Sequence, residues 1–274
     1  MKWLLNKAVL DEIRHRLNPQ NRMLLFLNYD SVLNPGAAGE AVQPLDLAMR
    51  EQLRELSEIS SLTLTVVSDY SLAALRKFIG FSGLYLVANN GLEIFGPDLN
   101  VVHAEAKRLR QVFKEMLAAL TAKQRELPEV VLENRDLSLV VHFNQAKPLI
   151  QRRARIVLEQ IWTPVMDAVT LQEKNNMLIL RPRLGWGKGR AVMFLWNKFA
   201  TPRRRPLVMA LGADETDEEI FGFMGREGMG VIIGGESRVA HSKAGYFLKN
   251  RAEVLKFSSW LADNLPHPNH SGSR

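Results

Sequence analysis

Three short runs, MLLFLN at 23–28, LTLTVV at 62–67 and LYLVA at 84–88, are apolar at almost every position. A strand with one wet face alternates apolar and polar residues, whereas a run this short and this apolar must be covered on both faces. Parallel sheets sandwiched between helices provide that cover. The intervening segments 44–58 and 71–79 carry helical periodicity, so the chain is expected to be α/β, with a Rossmann-like three-layer core around a parallel sheet. In such sheets ligands collect at the carboxyl ends of the strands. Asn28 and Asp30 follow the first run, Ser68 the second, and Asn89-Asn90-Gly91 the third.

From about residue 100 the pattern changes. A long helix at 103–120 leads to the alternating strand LSLVVHF, a helix at 148–161, and the strands AVTLQE and NMLILRP, which suit an antiparallel sheet with one polar face. The parallel pattern then resumes. Gly187-Lys188-Gly189 opens a helix, LVMALG is a strand, DETDEEIFGFM begins a helix and GVIIGG is a further strand. The expected organisation is therefore a core over 1–99 and 185–265, an inserted α+β cap domain over 100–184, and a disordered polar tail over 266–274. The opening MKWLLNKAVLDEIRHRL spaces its apolar residues as an amphipathic helix does, not as a secretion signal.

With no cysteine, disulfides, thiolate nucleophiles and thiolate zinc sites are excluded. The six histidines are scattered, so any metal here would be a hard cation held by oxygen. No apolar run approaches the roughly 20 residues of a spanning helix, and a cytoplasmic location is expected. The net charge of +7 suits an anionic ligand or simple solubility equally. The arginines at 152, 153, 155 and 203–205 are read first as solvated faces and second as a surface for an acidic protein; nucleic acid is not the expected partner.

Seven segments occur in one order: LLFLNYDSVL, LTVVSDY, GLYLVANNGLEI, LENRDLSLVVHF, GWGKGRAV, LGADETDEEIF and AGYFLKNRAEVLKFSSWL. Together they resemble the trehalose-6-phosphate phosphatase family of the haloacid dehalogenase superfamily. The resemblance implies a phosphomonoester hydrolase in which the first Asp of an Asp-x-Asp pair becomes an aspartyl phosphate and the second is acid and base. A magnesium ion joins these to a Gly-Asp-Asp-x-Thr-Asp-Glu segment. Carried over, Asp30 is the acid/base, Ser68 and Lys188 hold phosphate, and Asp214 and Asp217 are the later metal-segment acids. Glu133, Arg135 and His142 become sugar-binding candidates in the cap.

The nucleophile position is Asn28, whose neutral carboxamide is a poor nucleophile toward phosphorus. Losing a nucleophile costs on the order of 10⁶ in turnover in enzymes that work this way. Ala213 replaces the first acid of the metal segment, Asp30-Ser31-Val32 stands for Asp-Gly-Thr, and Ser68-Asp69-Tyr70 stands for Ser-Gly-Arg. Ile179 occupies a position in the cap where the family often has an acid, two residues before Arg181-Pro182.

Simpler roles stand beside these. Asp30 suits a turn cap, Ser68 an N-cap for the helix near 71, Asn28 a neutral hydrogen-bonding stand-in, and the acids at 214–218 the start of their helix. The leading expectation is a catalytically inactive relative with no cofactor and a ligand-sensing, regulatory or protein-binding role. The alternatives are a magnesium-dependent sugar-phosphate phosphatase with a compensated site, or a basic scaffold for an acidic partner or nucleic acid.

Overall fold

The computed structural model describes residues 1–17, 22–34, 43–143, 145–174, 176–201, 205–225 and 227–265. The tail expected to be disordered lies outside these residues, as do Arg203 and Arg204. The chain forms two units, one comprising Met1–Pro35, Val42–Asn100 and Trp186–Arg274, the other centred on Val101–Gly185.

The first unit begins with strand β1 (Lys2–Trp3), helix α1 (Lys7–Arg16) and strand β2 (Met23–Asn28). Then come α2 (Leu47–Ser57), β3 (Leu62–Val67), α3 (Leu72–Ile79), β4 (Tyr85–Ala88), β5 (Glu93–Gly96) and β6 (Leu99–Val102). The second unit holds α4 (Ala104–Arg108), α5 (Arg110–Ala122), β7 (Val131–Asn134), β8 (Leu139–His142), α6 (Pro148–Trp162), β9 (Val169–Lys174) and β10 (Met177–Pro182). The chain returns to the first unit with α7 (Lys188–Phe199), β11 (Leu207–Gly212), α8 (Glu218–Met224), β12 (Met229–Ile233), α9 (Glu236–His241), β13 (Tyr246–Leu248) and α10 (Arg251–Asn264).

The nine strands of the first sheet run β1-β13-β12-β11-β2-β3-β4-β5-β6. Pairing is parallel from β1 through β4 and turns antiparallel at β4–β5. Period-2 geometry sorts the apolar runs onto two faces. Met23, Leu25 and Leu27 pack with α1, α2, α3 and α10 through Ile13, Leu53, Leu75 and Phe257. Leu24 and Phe26 pack with α7 and α8 through Val192, Leu195 and Phe221. The expected three layers follow directly, because both faces of β2 are apolar and each finds its own helices.

Strand order reverses at β2. The chain runs from β2 to β3 and β4 on one side, and later strands add outward from β11 on the other. In open α/β sheets ligands bind at the carboxyl ends of the strands that flank such a switch, here β2 and β11.

The second unit is an antiparallel sheet of order β7-β8-β10-β9. Phe113, Met116 and Leu120 of α5 and Ala154 and Leu158 of α6 share a core with Leu139, Val141, Leu178 and Leu180. The helix expected over 103–120 is divided: α4 ends at Arg108, and α5 starts at Arg110.

Candidate functional site

At the end of β2 the chain makes a single π turn, Tyr29–Leu33, capped by Asn28. Asn28 Oδ1 accepts from the backbone N–H groups of Asp30 at 2.8 Å and Ser31 at 3.2 Å. Its Nδ2 donates to Asp217 Oδ1. The Asn28 carboxamide is only 1% exposed and is engaged through both its oxygen and its nitrogen. These bonds tie the loop after β2 to Asp217.

Asp30 reaches the end of β3. Its Oδ1 accepts from Ser68 Oγ at 3.1 Å and its Oδ2 from Asp69 N–H at 2.9 Å. Ser68 also accepts from Tyr70 N–H at 3.0 Å. Ser68 therefore does not cap α3. That cap is Ser71, whose Oγ accepts from Ala74 N–H, because the N-cap must immediately precede the first helical residue for its oxygen to reach the N3 amide. The Asn89–Gly91 turn props this loop: Asn90 N–H donates to Ser68 O, and Asn89 Nδ2 donates to the buried Glu93 at 2.7 Å.

Lys188 opens α7 and is completely buried. Gly91 helps place it, with a φ of +95° and a position where an added Cβ would lie 2.6 Å from Gly187 O, so only glycine lets this turn touch the start of the helix. Lys188 Nζ lies 3.1 Å from Asp69 Oδ1 and 3.9 Å from Asp217 Oδ1, and it donates to Thr216 Oγ1 at 3.1 Å. Burial works against its charge, but the carboxylates of Asp69, Asp217, Asp30 and Asp214 outweigh that and hold the ammonium above the ordinary lysine range.

After β11, Asp214 caps the turn Glu215–Asp217 in a capping box with Asp217. Asp214 Oδ1 accepts from Thr216 N–H at 3.0 Å and from Thr216 Oγ1 at 2.6 Å. Asp217 points inward. Its Oδ2 accepts from Ala213 N–H at 2.8 Å, Asp214 N–H at 3.1 Å and Ser31 Oγ at 3.0 Å. Gly212 permits this, since a Cβ there would sit 2.5 Å from the Asp217 side chain. Burial pushes the Asp217 carboxyl upward, and the Lys188 charge offsets part of the rise. The helix-start role expected for the acids at 214–218 fits Asp214, whereas Asp217 also anchors the network to Asn28 and Lys188.

The structure thus brings Asn28, Asp30, Ser68, Lys188, Asp214 and Asp217 together at the strand ends. It adds Ser31, Asp69 and Thr216, which sequence reasoning did not name as site members. Ser31 is visible in the sequence only as a departure from a family pattern and Thr216 as the Thr of that pattern, whereas Asp69 is already readable there as an added anion that would repel phosphate if it pointed inward. Arg238 of α9 also approaches, donating to the Ala213 carbonyl at 2.8 Å.

The second unit carries a separate cluster. Arg135 Nε lies 2.6 Å from Glu133 Oε1, and His142 Nε2 lies 2.8 Å from Glu133 Oε2. β7 and β8 place Glu133 opposite Val140, with His142 at the far end of the pairing. Burial would raise the Glu133 carboxyl, but His142 and Arg135 more than compensate and bring it down from 4.5 to about 2. A carboxylate depressed by folding contributes stability above its unfolded value and loses it as pH falls through the folded value. Glu133→Gln is therefore expected to cost on the order of 2 kcal/mol at neutral pH and to flatten the acid limb of the stability curve. Thermal melts from pH 7 down to about 2 check this; a deficit unchanged across that range would refute the pairing as its cause.

Of the α6 arginines, Arg153 pairs with Glu126 at 2.7 Å and Arg155 with Glu173 at 2.6 Å. These pairs fit the solvated-face reading. Among the described residues no helix is long and apolar enough to cross a membrane.

Known proteins share both sequence and fold. The trehalose-phosphatase family model matches residues 26–252. Probable trehalose-phosphate phosphatase 4 of Oryza sativa subsp. japonica is 26% identical over 242 residues, covering 86% of this chain and 65% of that protein. The chain thus spans just under two thirds of that relative's length. Among solved structures, a trehalose-6-phosphate phosphatase related protein superposes with a TM-score of 0.75 at 17% identity, covering 88% of this chain and 97% of that one. The C-terminal domain of a Candida albicans trehalose synthase regulatory protein does so with a TM-score of 0.66 at 14% identity, covering 91% and 97%. Both superpositions bear on the fold; the family match over most of the sequence establishes kinship, and the chain belongs to the trehalose-phosphatase family.

Proposed function

We propose that this chain is a non-catalytic member of its family, a pseudophosphatase that keeps the scaffold for ligand sensing, regulation or protein contact. One observation carries the reading: the group at the nucleophile position is a buried carboxamide whose oxygen caps two backbone amides and whose nitrogen donates to Asp217. Its oxygen is uncharged, and its orientation is fixed by bonds that an attack on phosphorus would break. Asp30 cannot replace it directly, because both its oxygens are bonded to the end of β3.

Magnesium is the cofactor expected for this family, and the residues here do not fit it. A hard divalent ion needs oxygen ligands with free lone pairs and, as a rule, more than one carboxylate. Asp217 Oδ2 already accepts from three donors, Asp217 Oδ1 faces an amide and an ammonium, and Ala213 offers a methyl group. Among the described residues no group of three acidic or imidazole side chains is disposed to hold a metal. The fold is shared with the C-terminal domain of a trehalose synthase regulatory protein, a precedent for a regulatory use of the scaffold.

The test is phosphate release from trehalose 6-phosphate and a panel of other sugar phosphates, with magnesium. No release above buffer is expected, given a loss on the order of 10⁶ when the nucleophile is absent. Sustained turnover by the native chain, or a phosphorylated aspartate trapped on it, would overturn the proposal.

A further inference from the structure

Two donors at this site correspond to groups that hold phosphate oxygens in the resembling family, the Ser68 hydroxyl and the Lys188 ammonium. In this chain both already serve carboxylates of the chain itself. Ser68 Oγ donates to Asp30 at 3.1 Å, and Lys188 Nζ lies 3.1 Å from Asp69. Asp69 stands directly after β3 in the loop Ser68-Asp69-Tyr70, and its N–H is fixed by Asp30 Oδ2. The loop's side chains bring in no new cation. Tyr70 turns toward the core and packs edge-on against Phe78 at 5.5 Å between ring centres.

We propose that Asp69 acts as a built-in substitute for the phosphate group: its carboxylate occupies the anion seat on Lys188 and shuts phosphate esters out. Two physical effects work together. A tethered carboxylate competes at an effective concentration far above that of any free ligand. A phosphate dianion approaching Lys188 also meets the like charge of Asp69, with the carboxylates of Asp30, Asp214 and Asp217 close enough to act on the same ammonium. The ligand class that remains is one without a phosphate group, since Lys188 is buried and engaged by Asp69, Asp217 and Thr216. A role in structure alone would leave anion selection unaffected by the loss of Asp69, and here the two roles part.

The experiment uses the full chain and inorganic phosphate, with chloride at matched ionic strength as control. Calorimetric titration and thermal melts are run on the native protein, Asp69→Asn and Asp69→Gly. The native protein is expected to show no phosphate-specific stabilisation at about 20 mM, whereas both variants bind phosphate roughly tenfold more tightly or better, with a matching rise in melting temperature. Asp69→Asn preserves shape and hydrogen-bonding capacity, and Asp69→Gly opens the seat fully. Native protein that binds phosphate as tightly as the variants overturns the proposal, as do folded variants that bind no better than native. Two variants are used so that the one that folds decides if the other does not, and phosphate-specific stabilisation of the native protein overturns the proposal by itself. The inference rests on the non-catalytic reading, and the two fail differently. Phosphate release from a sugar phosphate removes that reading, while phosphate binding by a chain that releases none removes only the role given to Asp69.

Discussion

Lys188→Met should be the most damaging single substitution at the site, lowering stability by about 3–5 kcal/mol and the melting temperature by on the order of 10 °C. Methionine fills much the same volume, so the effect is electrostatic. The ammonium is wholly buried and neutralises Asp69 and Asp217, with Asp30 and Asp214 in its field. Removing one partner of a buried charge set leaves the others desolvated and unpaired, which costs more than the set contributes when intact. The loss carries a pH signature. Burial already raises the Asp217 carboxyl, and without Lys188 the largest influence opposing that rise is gone, leaving only the hydrogen bonds from Asp214 N–H and Asn28. An acid raised by folding is most favourable to the folded state below its unfolded value and becomes unfavourable as pH climbs through its folded value. The deficit of the variant should therefore be largest near neutrality and shrink toward about pH 4. Melts of both proteins across that range test it; a constant gap would assign the damage to packing.

Asn28→Asp tests the other half of the network. The change is nearly isosteric, yet it removes the donor to Asp217 and sets two carboxylates against each other in a buried place. A loss of about 2–3 kcal/mol is expected at neutral pH. The substitution restores the acid of the family pattern, yet the geometry predicts a less stable protein. Magnesium gives a second readout. The native chain and Asn28→Asp alone should melt at the same temperature with or without the ion. The double variant with Ala213→Asp gains a second anionic ligand and should be stabilised by it. Equal stabilisation of the native chain by magnesium would show that the existing oxygens suffice.

Much of the core was readable because its strands are apolar on both faces. Each of β2, β3, β4 and β11 is buried along its whole length, and such runs admit few alternatives. The strands that went unread are β1, β5, β6, β7 and β13, of two to four residues each. Their pattern is mixed, as in VLEN and LNVV, and a strand that short is specified by its neighbour rather than by its own side chains. At the site, the residue types at the strand ends were legible, and their partners were not. Asp69 and Lys188 are far apart in sequence, and only the fold decides that the acid turns inward to the ammonium. The mistaken cap shows a local limit of the same kind: Ser68 and Ser71 are equally good capping residues, and the boundary of α3 chooses between them.

The outermost pairing of the large sheet joins Lys2 to Tyr246 and Trp3 to Phe247, with the fully buried Leu4 just beyond. On the ribosome, the segment that closes this edge therefore emerges some 240 residues before its mate. Until then its apolar side chains have nowhere native to go. Val101–Gly185 has no such wait, because its core residues come from one continuous stretch. Nascent chains should accordingly acquire protease resistance there first, while the layers of the first unit stay exposed to chaperones until β13 has emerged.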